Sequence, residues 1–157
     1  MPARNPEDVD QQLAEAFRAR DLEAVVMLYE PGATFVAQPG QSMTGQAAIR
    51  AAVQGFLALQ PDLRIKVTRV IRSGDLALLS STWTLAGTGP DGEPLQLSGI
   101  GAEVVRRQPD GSWRSFDSHH GLWPWARSGF RPTGASKGTT GSARGAPYVI
   151  DNPYAGS

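Results

Sequence analysis

Cysteine is absent from the 157 residues. Its absence excludes disulfides, thiol nucleophiles, cysteine zinc sites and iron–sulfur clusters. Histidine is nearly absent, since only the neighbours His119 and His120 occur, so a three-histidine zinc site is excluded and no metal is expected. A charge of one sign is also missing. Lys and Arg number 15 and Asp and Glu number 15, and a balanced chain exerts no long-range pull on nucleic acid or acidic membranes. Neither partner is expected. The longest apolar run, around Ala24 to Leu28, is far too short to span a bilayer. Met1 to Asp10 holds no apolar stretch, so no signal peptide is expected and the reading is a cytoplasmic protein. What is present is a globular composition, 40% hydrophobic and 19% charged, of a length that suits one ordinary domain with a real core.

The first half reads as helical. Asn5 can cap a helix with Pro6 at its first position and Glu7 and Asp8 at the positive end of its dipole. Val9, Leu13, Ala16 and Phe17 form its apolar face. Asp21 caps a second helix, with Leu22, Val25, Val26 and Tyr29 as its stripe and Glu30-Pro31-Gly32 as its stop. Ala33 to Ala37 is a short β-type run closed by Gln38-Pro39-Gly40. Thr44 suits the cap of a third helix, striped by Ile49, Val53, Phe56 and Leu57 and ended by Gln60-Pro61-Asp62.

The period then changes to two. Leu63, Ile65 and Val67 alternate with Arg64, Lys66 and Thr68, and the phase slips near Arg69-Val70 as a bulge would make it. Ser73-Gly74-Asp75 turns the chain into a strand over Leu76 to Ala86, and Gly87 to Glu93 links it to a long strand over Leu95 to Arg107. Gln108-Pro109-Asp110-Gly111 turns again into a strand starting at Ser112. Segregated helices followed by hairpin-linked strands predict an α+β fold, three N-terminal helices packed on one face of a curved antiparallel sheet. Residues 1–120 are expected to form this domain. Residues 121–147, rich in Gly, Pro and Ser and basic through Arg127, Arg131, Lys137 and Arg144, read as a flexible loop or insertion. Residues 148–157 regain strand character in Tyr148-Val149-Ile150 and are either a terminal strand or a tail.

Several stretches together resemble the SnoaL-like, ketosteroid-isomerase-like branch of the nuclear transport factor 2 superfamily. They are Asp21-Leu22-Glu23-Ala24-Val25, Leu28-Tyr29-Glu30-Pro31-Gly32-Ala33, Thr44-Gly45-Gln46-Ala47-Ala48-Ile49, Trp83-Thr84-Leu85, Gln108-Pro109-Asp110-Gly111-Ser112-Trp113-Arg114 and Tyr148-Val149-Ile150-Asp151-Asn152-Pro153. The resemblance implies a cone-shaped α+β domain, a homodimer through the sheet, and a small organic ligand in a pocket between helices and sheet, with no cofactor. Members include isomerases, cyclases and hydrolases, and domains that only bind or dimerise, so the fold does not fix the reaction. In similar proteins the Trp-Arg of the last strand runs almost directly into the terminal motif. Here Ser115 to Pro147 intervenes, so either Ser115 to His120 or Tyr148 to Asn152 fills the last place in the sheet. Continuity of the chain favours the first.

Glu103 is the sharpest candidate for chemistry. It shares a strand face with Gly101 and Val105, and a carboxyl among apolar neighbours keeps its proton to higher pH. The resemblance places it where ketosteroid isomerases hold a protonated acid in the oxyanion hole. The alternative is an ion pair with Arg69 or Arg107, or a place in solvent. By the same resemblance the general base falls near Val36, Ala37 or Gln38 and a helix tyrosine near Leu13. None of these takes a proton, so steroid-isomerase chemistry is not expected. Tyr29, Phe35, Phe56, Trp83 and Trp113 are candidate pocket walls, and equally plain core. Asp151 and Asn152 either orient a ligand or form a turn. Asp117 and His119, two apart on a strand, share a face and can meet. Gly87 to Gly92 fits a dinucleotide-loop pattern but leads into a strand, which rejects it. The expectation is a small-molecule-binding domain, as a cofactor-independent isomerase, cyclase or hydrolase, or else a non-catalytic dimerisation or ligand-sensing module.

Overall fold

A computed structural model describes residues 1–38 and 41–122. The chain divides into the units Met1–Arg127 and Ser128–Ser157, and the described residues all belong to the first. Of the expected loop at 121–147, residues 123–147 lie outside the described residues, as does the motif at 148–157.

Helix α1 spans Pro6–Ala19. The Asp8 carboxylate accepts hydrogen bonds from the backbone N–H groups of Asn5 (2.8 Å) and Arg4 (3.1 Å), which satisfies donors at the helix start. Val9, Leu13, Ala16 and Phe17 are all buried, as an amphipathic helix requires. Helix α2, Leu22–Met27, is capped by Asp21, whose carboxylate accepts the Ala24 N–H at 3.0 Å. It stops before Tyr29, which was expected on its stripe. Tyr29 instead opens strand β1, Tyr29–Gln38, because the neighbouring backbone recruits it: Ser115 N–H donates to Leu28 C=O at 2.7 Å, and Tyr29 pairs with Ser115. Strand β2, Gln41–Thr44, pairs back on β1 and takes up Thr44, which was expected to cap the third helix. Gly45 stands there in its place, at φ 87°, a backbone conformation that suits glycine. Helix α3 spans Gln46–Leu57, with Ile49 and Val53 buried.

Strands β3 (Asp62–Ser73), β4 (Leu76–Thr88), β5 (Pro94–Arg107) and β6 (Trp113–Leu122) then form an antiparallel meander. The register of β3 shifts between Val67 and Arg69, where the sequence phase slips, and Thr68 uses its hydroxyl to bond Ser80 C=O at 3.0 Å. Gly74, at φ 58°, turns β3 into β4. Strand β6 runs on through Ser115 to His120 and also takes Gly121 and Leu122, which were expected to begin the loop.

The strand order is β2-β1-β6-β5-β4-β3. The sheet is mixed, not antiparallel throughout, because β1 and β6 pair in parallel. The meander leaves the far edge of β6 open, and the earlier strand β1 covers it in the same direction. Two apolar clusters lie against the sheet. The larger joins Leu13, Phe17 and Val25 to Phe35, Ile49, Val53, Trp83 and Leu85. The smaller joins Val9 to Ala77, Leu79, Val105 and Trp113. No helix among the described residues is long and apolar enough to cross a membrane.

Candidate acid site

Pairing register puts Glu103 in the middle of a row that crosses all six strands: Met43, Phe35, Ser118, Glu103, Leu79 and Val70. Side chains alternate between faces along a strand, so this row shares the helix-covered face. Glu103 is 3% exposed. Neither expected alternative holds it: Arg107 bonds Asp75, and Arg69 is exposed. Gly101 and Gly99, buried on the same strand, stand opposite Ser81 and Trp83.

The residue that faces Glu103 is Asp10 of α1, itself 1% exposed. None of the four carboxyl oxygens has a hydrogen-bond partner of normal geometry among the described residues. Ser81 and Ser115 nevertheless lie near enough to act on their protonation. Burial pushes Glu103 well above the usual carboxylate range, and the charge of Asp10 and its contact with Asp10 push it the same way. Burial also raises Asp10, while Glu103 and Ser81 pull it back by hydrogen bonding. Tyr29 is raised chiefly by burial and then by the charge of Glu103, with Ser118 pulling it back.

Sequence reasoning missed Asp10, although a signal was present. It stands three residues before Leu13 and seven before Phe17, on the apolar stripe rather than on the solvent side. It was hidden by Glu7 and Asp8, which belong to the helix start. The positions expected for a base, Val36, Ala37 and Gln38, carry none, and neither does Leu13, where a tyrosine was expected; a carboxylate one turn before Leu13 stands beside Glu103 instead.

Four of the five candidate wall aromatics gather in the larger apolar cluster. Tyr29 meets Phe35 edge to face at 6.3 Å, Phe35 meets Phe56 in the same way at 6.3 Å, and Trp83 belongs to the same cluster. Trp113 packs in the other cluster with Val9 and Leu79. Asp151 and Asn152 lie outside the described residues. Asp117 and His119 meet at 3.1 Å, with the histidine side chain 55% exposed. Among the described residues no group of three or more His, Cys, Asp or Glu is arranged to hold a metal.

A cavity of about 820 Å³ lies elsewhere, between α1, α2 and the β5–β6 turn, lined by residues including Gln12, Ala19, Met27, Asp110 and Trp113. It reaches neither Glu103 nor Asp10. The carboxyl pair, by contrast, is where side-chain oxygens have been taken out of water. Strongly perturbed titratable groups cluster at functional sites, which makes the pair the candidate site.

The described residues form an α+β domain, a six-stranded mixed sheet with helices against it and a buried acid on its central row. Residues 10–116 match the SnoaL-like domain. The chain belongs to that family. Similar solved structures include a ketosteroid isomerase-like protein from Erwinia carotovora atroseptica SCRI1043, with 18% identity over 74% of this chain and 92% of that one and a TM-score of 0.67. A candidate dehydratase of the NTF2-like family from Streptomyces avermitilis shows 19% identity over 74% and 93%, with a TM-score of 0.64. A candidate calcium/calmodulin-dependent protein kinase type II association domain from Thiobacillus denitrificans ATCC 25259 shows 20% over 78% and 98%, also with a TM-score of 0.64. At these identities the likeness concerns the fold. No curated protein matches the chain.

Proposed function

We propose that this domain binds a small neutral organic molecule against the helix-covered face of its sheet, with Glu103 as the acid that donates a hydrogen bond or a proton to a ligand oxygen. The reaction class this suits is cofactor-independent isomerisation, cyclisation or hydrolysis. The observation that carries the reading is Glu103 itself: a buried carboxyl beside two strand glycines, kept protonated by its surroundings. Tyr29, Phe35, Phe56 and Trp83 supply the apolar wall. The carboxyl oxygens are out of contact with solvent, so a ligand reaches them only by displacing part of that wall.

Titration of a neutral naphthol against the tryptophan fluorescence of wild type, Glu103→Gln and Glu103→Leu tests this. Saturable quenching is expected in wild type. Loss of one hydrogen bond of about 1.4 kcal/mol predicts roughly tenfold weaker binding in Glu103→Leu. Equal affinity in all three proteins would remove Glu103 from the site.

A second reading, assembly without catalysis, is favoured by the opposite face of the sheet. Ile71, Leu78, Ile100 and Phe116 are all exposed there, and Ile71 and Leu78 pair directly across strands. A second copy of the chain covering these exposed apolar side chains makes a homodimer through the sheet. One of the similar structures carries the name of an association domain. Sedimentation velocity on wild type and Leu78→Lys decides: a dimer that the substitution splits supports it, and a wild-type monomer at all concentrations rejects it.

A further inference from the structure

Three facts about the buried acids belong together. Asp10 and Glu103 come from elements that meet only through the fold, α1 and β5, and both are almost wholly buried. No oxygen of either carboxyl has a hydrogen-bond partner of normal geometry among the described residues, and Ser115 Oγ, also 0% exposed, has none either. Among the described residues, no lysine or arginine is among the groups that act on either carboxyl. Two adjacent carboxylates cannot both stay ionised out of water without a cation, since each charge raises the cost of the other.

We infer that Asp10 and Glu103 form a carboxyl pair that holds one proton between them, with the proton on Glu103 and Asp10 as the positioning residue that keeps it there. The inference rests on reading Glu103 as the acid of the site, and it names what sets that acid. Because Asp10 is the charged member, the pair carries a single negative charge and presents an acid and a base side by side. The ligand it suits is neutral and bears an oxygen acceptor. A second anion beside Asp10 would restore the repulsion that the shared proton relieves.

The surroundings fit this assignment. From β4, Ser81 acts on Asp10, and from β6, Ser115 acts on Glu103. Asp117, also from β6, adds a second negative charge that favours a protonated Glu103, and it is itself in contact with His119. From β1 comes Tyr29, whose hydroxyl interacts with Ser118 and stays protonated. From β3 comes Arg72, spent on Glu7 at the first turn of α1, at 2.9 Å. Asp10 therefore acts on Glu103 across the interface between helix and sheet, and the contact also ties α1 to the strands.

Carbon-13 spectra of the side-chain carboxyls, with infrared spectra of the carboxylic-acid band, test the pair in the full chain without any ligand. In wild type the Glu103 carbon is expected to keep its protonated shift through neutral pH, and Asp10 to titrate at lower pH. Glu103→Gln is expected to abolish the acid band at neutral pH. Asp10→Asn is expected to move the Glu103 midpoint down by about one pH unit or more. A wild type without an acid band at neutral pH overturns the inference. So does an acid band that survives in Glu103→Gln, or a Glu103 midpoint unmoved by Asp10→Asn. If Asp10→Asn does not fold, the order of the two wild-type titrations decides alone. These readouts are independent of ligand affinity: naphthol binding can fail while the shared proton stands, and the reverse.

Discussion

Leu78 and Leu79 are sequence neighbours on β4 with opposite fates, and truncating each in turn tests the face assignment on which the site depends. Leu79 is 0% exposed, pairs with Glu103 on one side and Val70 on the other, and packs in the cluster of Val9, Ala77, Val105 and Trp113. Leu78 is 40% exposed and pairs with Ile71 and Val104 on the other face. Leu79→Ala removes a fully buried side chain from the middle of the sheet, where neighbours on two strands and a helix limit collapse, so it is expected to cost about 3–4 kcal/mol. With a urea m-value of about 2 kcal/mol/M, the unfolding midpoint falls by roughly 1.5–2 M at unchanged slope. Leu78→Ala removes area that water already reaches in part, and is expected to cost about 1 kcal/mol or less in the monomer. If two copies pair through this face, its cost grows as protein concentration rises, while that of Leu79→Ala keeps its large monomer component. Urea denaturation followed by circular dichroism at two protein concentrations measures both. A loss below about 1 kcal/mol for Leu79→Ala, or equal losses for the two variants at the lower concentration, would refute the facing of β4 and with it the inward Glu103.

Other perturbations follow from local geometry. Asp10 and Glu103 hold protons in the fold that the unfolded chain releases near pH 4, so stability is full below that range and declines as pH rises toward their folded-state values. The slope is up to about 1.4 kcal/mol per pH unit for each such proton, and Glu103→Gln is expected to remove the Glu103 share in denaturation curves taken from pH 4 to 9. Gly87→Ala would bring a Cβ to 2.6 Å from Leu59 C=O, which already accepts the Thr88 N–H at 2.7 Å, so the link between α3 and β4 must shift. A melting temperature lowered by the equivalent of about 1–3 kcal/mol is expected, and an unchanged one would contradict that close approach. Asp21→Ala removes the cap of α2 and is expected to cost about 1 kcal/mol, measurable by the same melt.

Much of this domain was written in short-range patterns. Asn5-Pro6, Asp21, Gly74 and Gln108-Pro109-Asp110-Gly111 mark boundaries because caps and turns depend on residues a few places apart. Alternation along Leu95 to Arg107 likewise put Glu103 on one face with Gly101 and Val105, since a pleated strand sorts its side chains without outside help. Membership in the SnoaL-like family was legible from the order of the same short motifs. Tertiary structure alone decided the rest. Tyr29 joined a strand rather than a helix because β6 offered it a backbone partner, and β1 lies parallel to β6 because an open sheet edge was there to be covered. Asp10 meets Glu103 only when α1 closes over the sheet. Whether that carboxyl is a solvated helix acid or half of a buried pair depends on water being excluded by residues far along the chain, and no local pattern encodes a dielectric environment.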